Sequence, residues 1–218
     1  MSIAAVVLDL DGVLVDSEQV WDAARRELVA ERGGVWRDDA TRAMMGMSSL
    51  EWSRYMHDAL GVDLEPAAIS AAVVEKLEQH YRRELPLLPG AREAVRALAT
   101  RWPLGLASSS NREIIDLVLK LAGLADAFTA TVSSEEVPRG KPAPDVYLEA
   151  ARRLEVAPGD CAAVEDSTNG LRAAAAAGMT VIALPNAAFP PAEEALGLAT
   201  AVIGSLDELR PSLPAFAA

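Results

Sequence analysis

Two rhythms of hydrophobic and polar positions alternate along the chain and predict its secondary structure. Short, nearly continuous apolar runs are typical of strands buried on both faces of a parallel sheet, and they occur at residues 3–10, 104–107, 161–164 and 179–184. Between them, apolar residues follow helical spacing, as at Ile114, Ile115 and Val118. This alternation predicts an α/β fold with a parallel sheet.

The segment after the first predicted strand breaks this alternation. Its apolar residues follow helical spacing throughout, as at Trp52 and Met56 and again at Ile69, Val73 and Leu77, without a convincing strand. We interpret residues 17–85 as an inserted helical subdomain. Residues 1–16 and 86–218 then form the α/β body.

Composition and charge narrow the class of protein. With 218 residues, 51% of them hydrophobic and 24% charged, the chain resembles an ordinary globular protein. A formal net charge of −12 disfavours nucleic acid as a partner. No apolar run reaches the roughly 20 residues of a membrane span, and no secretion signal is evident. The single cysteine, Cys161, lies in a predicted strand, so we expect a packing role and a cytoplasmic location.

Polar residues follow the ends of the predicted strands. In open parallel sheets, ligands bind beyond the carboxyl ends of the strands, so these residues are expected to form one site. The set comprises Asp9, Asp11, Ser108, Ser109, Ser110, Lys141, Glu165, Asp166 and Ser167.

These residue types together favour phosphoryl transfer. Asp9 could attack phosphorus and form an aspartyl-phosphate, provided that a cation neutralises the charge between two anions. Asp9 and Asp166 offer the hard oxygen ligands that suit Mg²⁺, and Asp11 could protonate the leaving oxygen and later deprotonate water.

The phosphate itself requires positive partners on a chain this acidic. Lys141 is expected to contact the phosphoryl oxygens, together with Ser108 and backbone N–H groups near Ser109. Taken singly, acidic pairs and serines at strand ends are often turns or helix caps. Their coincidence at several strand ends favours the catalytic interpretation.

Four strings, DLDGVLVDSE, LASSSN, KPAPDVY and VEDSTNG, resemble in this order the haloacid dehalogenase-like phosphatase superfamily. The resemblance spans nearly the whole chain. It implies a Rossmann-like, doubly wound parallel sheet core with an inserted α-helical cap, and Asp9 as the nucleophile. It also implies that Asp11 is the acid/base, that its backbone carbonyl meets Mg²⁺, and that Asp166 binds the metal with Glu165 as a further or nearby ligand.

Within the superfamily the chain is similar to β-phosphoglucomutases and, more closely, to hexose and hexitol phosphate phosphatases such as 2-deoxyglucose-6-phosphate phosphatase. Trp21 stands where the mutase has a histidine, and Ser49 stands where it has an arginine, which favours the phosphatase. The substrate would be a small phosphorylated metabolite, and the enzyme a monomer or weak homo-oligomer. Residues that could contact the substrate from the insert or the second strand end are Trp21, Gly46, Ser48, Trp52 and Asn111.

Two alternatives remain open at this stage. The same core and cap could serve a phosphosugar mutase of the β-phosphoglucomutase type. Acids, serine and lysine at strand ends also occur in non-enzymatic phosphoryl receivers, although these need no cap.

Overall fold

A computed structural model describes residues 3–45 and 47–217 of the chain. Within these residues, six parallel strands form one sheet in the order β3-β2-β1-β4-β5-β6. Their bounds are β1 Ala5–Leu8, β2 Leu104–Ser108, β3 Ala130–Ser133, β4 Cys161–Glu165, β5 Thr180–Ala183 and β6 Ala201–Val202. The strand order reverses direction at β1, so a crevice opens beside the carboxyl end of this central strand.

Helices cover both faces of the sheet because successive side chains of a strand point to opposite faces. Val6 and Leu8 of β1 belong to one hydrophobic cluster with α5 and α6, whereas Ala5 and Val7 belong to another with α7 and α8. The bounds of these helices are α5 Ala91–Ala99, α6 Arg112–Ala122, α7 Asp145–Leu154 and α8 Thr168–Ala176, with α9 at Glu193–Leu196. This confirms the predicted doubly wound α/β architecture.

In the part of the chain that the structure describes, four further helices lie between β1 and α5, and we refer to them as the helical insert. They are α1 Glu18–Glu31, α2 Ala40–Met44, α3 Ser49–Asp58 and α4 Pro66–Arg83. Pro66 opens α4 at a position where its missing N–H costs nothing, and Val15 pairs with Leu87 where the chain leaves and re-enters the body. The helices fall within the predicted residues 17–85, while the exact domain boundaries stay a prediction.

Two short strands escape sequence-based detection. β3 alternates apolar residues with Thr131 and Ser133 instead of forming a continuous apolar run, and β6 has only two residues. Cys161 lies buried in β4, as predicted. Among the described residues, no helix combines the length and hydropathy that crossing a membrane requires.

Candidate active site

The carboxyl edge of the central strands brings the predicted polar residues together. Asp9 directly follows β1, and its backbone N–H donates to the carbonyl of Val164 at 3.0 Å. Ser108 ends β2, and Glu165 ends β4, the strand beside β1. Side chains that are far apart in sequence therefore meet at one edge.

A cavity of about 510 Å³ lies between this edge and the helical insert. It is large enough for a small metabolite. Of the residues predicted to form the site, those that line the cavity are Asp9, Asp11, Trp21, Trp52, Ser109, Ser110, Lys141, Asp166 and Ser167.

The remaining predicted residues lie elsewhere. Ser108 and Glu165 are fully buried beneath the cavity. Ser48 caps α3, where its amide and hydroxyl donate to Glu51 at 2.8 and 2.7 Å. Asn111 lines a second cavity between α4 and α6 and donates to Glu135 at 2.7 Å, and Gly46 lies outside the described residues. Ser48 and Asn111 thus have structural contacts away from the main cavity.

Lys141 is the buried cation of the site. Its ammonium donates to Asp9 Oδ1 at 2.8 Å and to Glu165 Oε1 at 2.5 Å. Burial by itself would lower the pKa of Lys141, but the carboxylates of Asp9 and Glu165 outweigh burial and raise that pKa. Lys141 therefore keeps its charge at the base of the cavity.

Glu165 is held by donors on both of its oxygens. Besides Lys141, the Tyr147 hydroxyl donates to Oε1 at 2.8 Å. Oε2 accepts from the Asp166 amide and from the amide and hydroxyl of Ser167, at 3.0 to 3.2 Å. A Cβ at Gly170 would lie 1.8 Å from Oε1, so glycine is required there. Glu165 acts in this structure chiefly as the anchor of Lys141.

The two other acids of the group, Asp9 and Asp166, both have raised pKa values. Burial raises the pKa of Asp9 to about 8, with Lys141 opposing this rise and Glu165 and Asp11 adding to it. Burial, together with Glu165 and Asp9, also raises the pKa of Asp166 well above its ordinary value. Three carboxylates share one ammonium, so a further cation would stabilise their ionised forms.

The geometry of these acids fits a divalent cation. Asp9, Glu165 and Asp166 each offer a carboxylate oxygen, and these oxygens lie within 4.8 Å of one another. A Cβ at Gly12 would lie 2.0 Å from Asp166 Oδ2, so the glycine leaves room for that carboxylate. An all-oxygen set of this kind suits Mg²⁺.

Asp11 is set apart from this group by its hydrogen bonds. Trp21 Nε1 donates to Oδ1 at 3.2 Å, and the Ser110 hydroxyl donates to Oδ2 at 2.6 Å. Ser108 lies below, where its hydroxyl accepts from the Ser110 amide at 2.9 Å. The hydroxyl of Ser108 therefore orders the turn that carries Ser109 and Ser110 and also donates to Asp11 Oδ2 at 3.4 Å, while its contact with phosphate stays a prediction.

Sequence reasoning missed several residues of the cavity. Glu18 and Arg25 line it, as does the loop at residues 186–192. Glu18 and Arg25 flank Trp21 at positions three before and four after, which places all three on one face of α1. That spacing is the sequence signal that could have identified them.

Comparison with known proteins agrees with the fold. A family model described as haloacid dehalogenase-like hydrolase matches residues 3–178. Hexitol phosphatase B of Escherichia coli (strain K12) is 35% identical over 190 residues, 84% of each chain. Phosphorylated carbohydrates phosphatase of Thermotoga maritima is 32% identical over 80% of this chain and 82% of its own.

A solved structure matches over almost the whole chain. The crystal structure of CbbY from Rhodobacter sphaeroides in complex with phosphate has a TM-score of 0.87 and 27% identity, covering 99% of this chain and 100% of that one. The fold, the residues at the strand ends and the family match agree with one another. The chain belongs to the haloacid dehalogenase-like hydrolases.

Proposed function

We propose that this protein is a Mg²⁺-dependent phosphatase that hydrolyses small phosphate monoesters of sugars or sugar alcohols in the cytoplasm, with Asp9 as the nucleophile. The observation that carries the proposal is the buried contact of Asp9 with Lys141 at the base of a cavity that Asp11 also faces. Hexitol phosphatase B and phosphorylated carbohydrates phosphatase are named for such reactions, which favours hydrolysis over a mutase.

Asp9 and Asp166 would hold Mg²⁺, with the backbone carbonyl of Asp11 as a further ligand, while Glu165 anchors Lys141. When bound, Mg²⁺ supplies positive charge between the attacking carboxylate and the phosphoryl oxygens. Lys141 adds a second positive charge from the protein side, and Ser109 faces the same cavity.

The two aspartates divide the chemistry between them. A carboxylate oxygen of Asp9 attacks phosphorus, and the bond from phosphorus to the ester oxygen breaks as protonated Asp11 gives its proton to that oxygen. The product is an alcohol and an acyl-phosphate on Asp9. Ionised Asp11 then takes a proton from water, which attacks phosphorus and releases phosphate, so that Asp9 is regenerated.

Trp21 and Ser110 prepare Asp11 for this double role. Each donates to a different oxygen of the carboxyl group, which fixes its orientation toward the cavity. The helical insert covers the site, and closure over bound substrate would exclude bulk water during transfer.

The test is phosphate release from a panel of sugar and sugar alcohol phosphates with Mg²⁺ present. The wild-type protein should release phosphate, and Asp9→Asn should lose activity by about 10⁴-fold or more, because the amide is a poor nucleophile. Asp63→Asn, at an exposed position of the insert, is the matched control. Equal activity of Asp9→Asn and wild type, or no release from any ester, would contradict the proposal.

A further inference from the structure

Arg25 is a buried cation without a partner on the insert side of the cavity. Only 5% of its surface is exposed, and it forms no hydrogen bond or ion pair with any residue that the structure describes. Its guanidinium carbon lies 4.8 Å from the ring centre of Trp21 and 5.2 Å from that of Trp52. The two rings fix the guanidinium in place, but they do not satisfy its N–H groups.

Glu18 presents the opposite case on the same face of α1. Its Oε1 is sealed from solvent and accepts no hydrogen bond from the described residues. Burial raises the pKa of Glu18 to about 7, and the charge of Arg25 opposes that rise. Glu18 and Arg25 both line the cavity that Asp9 and Lys141 also line, and each has one buried polar atom without a partner in the described residues.

This pairing decides which chemical group fits best. A second anionic group on the substrate would meet Arg25 but would be repelled by Glu18, and by Asp11 and Asp16, which line the same cavity. A cationic group would be repelled by Arg25. A hydroxyl group both donates and accepts, so neighbouring hydroxyls can satisfy Glu18 and Arg25 together.

The aromatic rings next to this pair fit the same ligand. Trp21 and Trp52 meet edge to face, with ring centres 5.9 Å apart, and both line the cavity. Their apolar surfaces suit the C–H groups that alternate with hydroxyls in a sugar or sugar alcohol. A cavity of about 510 Å³ leaves room for such a chain beyond the phosphate.

We propose that Glu18 and Arg25 recognise neighbouring hydroxyl groups of the substrate, and that the cavity thereby selects phosphate esters of neutral polyols over esters without hydroxyls. This inference rests on the proposed function, because the phosphate must first lie at Asp9. It assigns substrate selection to two residues of the insert, and not to the acids proposed for catalysis.

The experiment compares two substrates in the full-length protein with Mg²⁺: sorbitol 6-phosphate, and p-nitrophenyl phosphate, which has no hydroxyls. The variants are Glu18→Met and Arg25→Met, which keep the length of the side chain but remove its polar atoms. Each should lower the ratio of kcat/KM for the sorbitol ester to that for the nitrophenyl ester by roughly ten- to hundredfold, mainly through KM. If the residue had only a structural role, kcat/KM would fall by the same factor for both substrates.

Two neighbours on α1 serve as matched controls. Arg26 pairs with Asp22 and stacks on Trp36, and Glu31 pairs with Lys76, outside the cavity lining. Arg26→Met and Glu31→Met should leave the substrate ratio unchanged. If Arg25→Met fails to fold, Glu18→Met decides the question alone.

The outcomes separate the two proposals. An unchanged ratio in Glu18→Met, or a wild-type protein that turns over the nitrophenyl ester as efficiently as the sorbitol ester, would overturn the polyol inference and leave the phosphatase proposal standing. A wild-type protein that hydrolyses neither ester nor any member of the wider panel would overturn the phosphatase proposal itself.

Discussion

The two sides of the cavity treat buried charge in opposite ways. On the sheet side lies the floor of the site, formed by Asp9, Lys141, Glu165 and Asp166, where the ammonium is paired twice and Glu165 is bonded at both oxygens. On the helical side, the insert face, formed by Glu18, Trp21, Arg25 and Trp52, leaves Glu18 Oε1 and Arg25 Nε without a partner in the described residues.

From this difference we expect the floor to serve the catalytic step and the insert face to select the substrate. A network whose charges are already oriented pays little reorganisation when the reaction begins, and it suits a step common to all phosphate esters. Unsatisfied polar atoms gain most when a particular ligand supplies their hydrogen bonds. Substitutions in the floor should therefore lower the activity on all substrates. The effect of substitutions in the insert face should depend on which substrate is used.

The largest effect is expected from Lys141→Met. This change leaves the buried carboxylates of Asp9 and Glu165 without their ammonium and should cost about 3–5 kcal/mol in the free energy of unfolding. Phosphatase activity should fall on every substrate alike. Chemical denaturation and steady-state kinetics measure both effects, with Lys120→Met at an exposed position of α6 as the control. A loss confined to polyol esters would break the distinction between floor and insert face.

Gly170→Ala tests the anchor of Lys141 without changing a charge. The added Cβ would lie 1.8 Å from Glu165 Oε1 and force that carboxylate to move, so we expect a loss of about 1–3 kcal/mol in the free energy of unfolding. Thermal and urea unfolding measure the loss. Gly159→Ala serves as the control, because its nearest neighbour would lie 4.0 Å away. Equal stability of the two variants would contradict the role given to Glu165.

Trp21→Phe changes a residue of the insert face that also contacts a proposed catalytic acid. Trp21 donates a hydrogen bond to Asp11, and its ring lies against Arg25. Loss of the indole N–H should lower kcat by about 5- to 20-fold on sugar alcohol phosphates, whose leaving oxygen needs a proton from Asp11. The effect should be smaller on p-nitrophenyl phosphate, whose leaving group departs without one. Equal losses on both substrates would show that Trp21 does not act through the proton of Asp11.

The smallest effect is expected from Glu149→Gln on the surface. Hydrogen bonds from Arg152 and Arg153 lower the pKa of Glu149 to about 2. Because its folded-state pKa lies below the ordinary value of 4.5, its contribution to stability is present above about pH 4.5 and is lost as the pH falls toward 2. Solvent screening keeps that contribution under about 1 kcal/mol.

The measurement for Glu149 is urea unfolding at pH 7 and at pH 3. The difference in stability between wild type and Glu149→Gln should shrink at the lower pH. A large loss of stability in Glu149→Gln at pH 7 would mean that ion pairs stabilise this protein strongly even at the surface. Burial would then not be what makes the ion pairs of the floor strong.

The sequence predicts the floor well because its residues follow apolar runs directly. The positions of Asp9 after β1 and Asp166 after β4 follow from one rule, that the carboxyl ends of parallel strands lie at the same edge of the sheet. Ser108 is buried beneath the cavity, where its hydroxyl accepts from the Ser110 amide and donates to Asp11, and its predicted contact with phosphate stays a prediction. The two ion pairs of Lys141 depend on a loop whose path no local pattern reveals.

The insert face was harder to predict for a different physical reason. A charged residue on a helix is expected to face solvent, yet Arg25 is buried by rings from α1 and from α3. That burial depends on a contact between helices, which periodicity within one helix does not encode. Ser48 has a structural role that the sequence analysis did not give, since it caps α3, and its contact with substrate stays a prediction.

The central claim is that Asp9 carries the phosphoryl group during turnover. Asp11→Asn with p-nitrophenyl phosphate tests it directly, because attack by Asp9 can proceed with this leaving group while hydrolysis of the acyl-phosphate lacks its base. After an acid quench, peptide mass spectrometry should find the phosphoryl group on Asp9, formed in step with a burst of p-nitrophenol. A burst without a modified Asp9, or a phosphoryl group on another residue, would contradict the account.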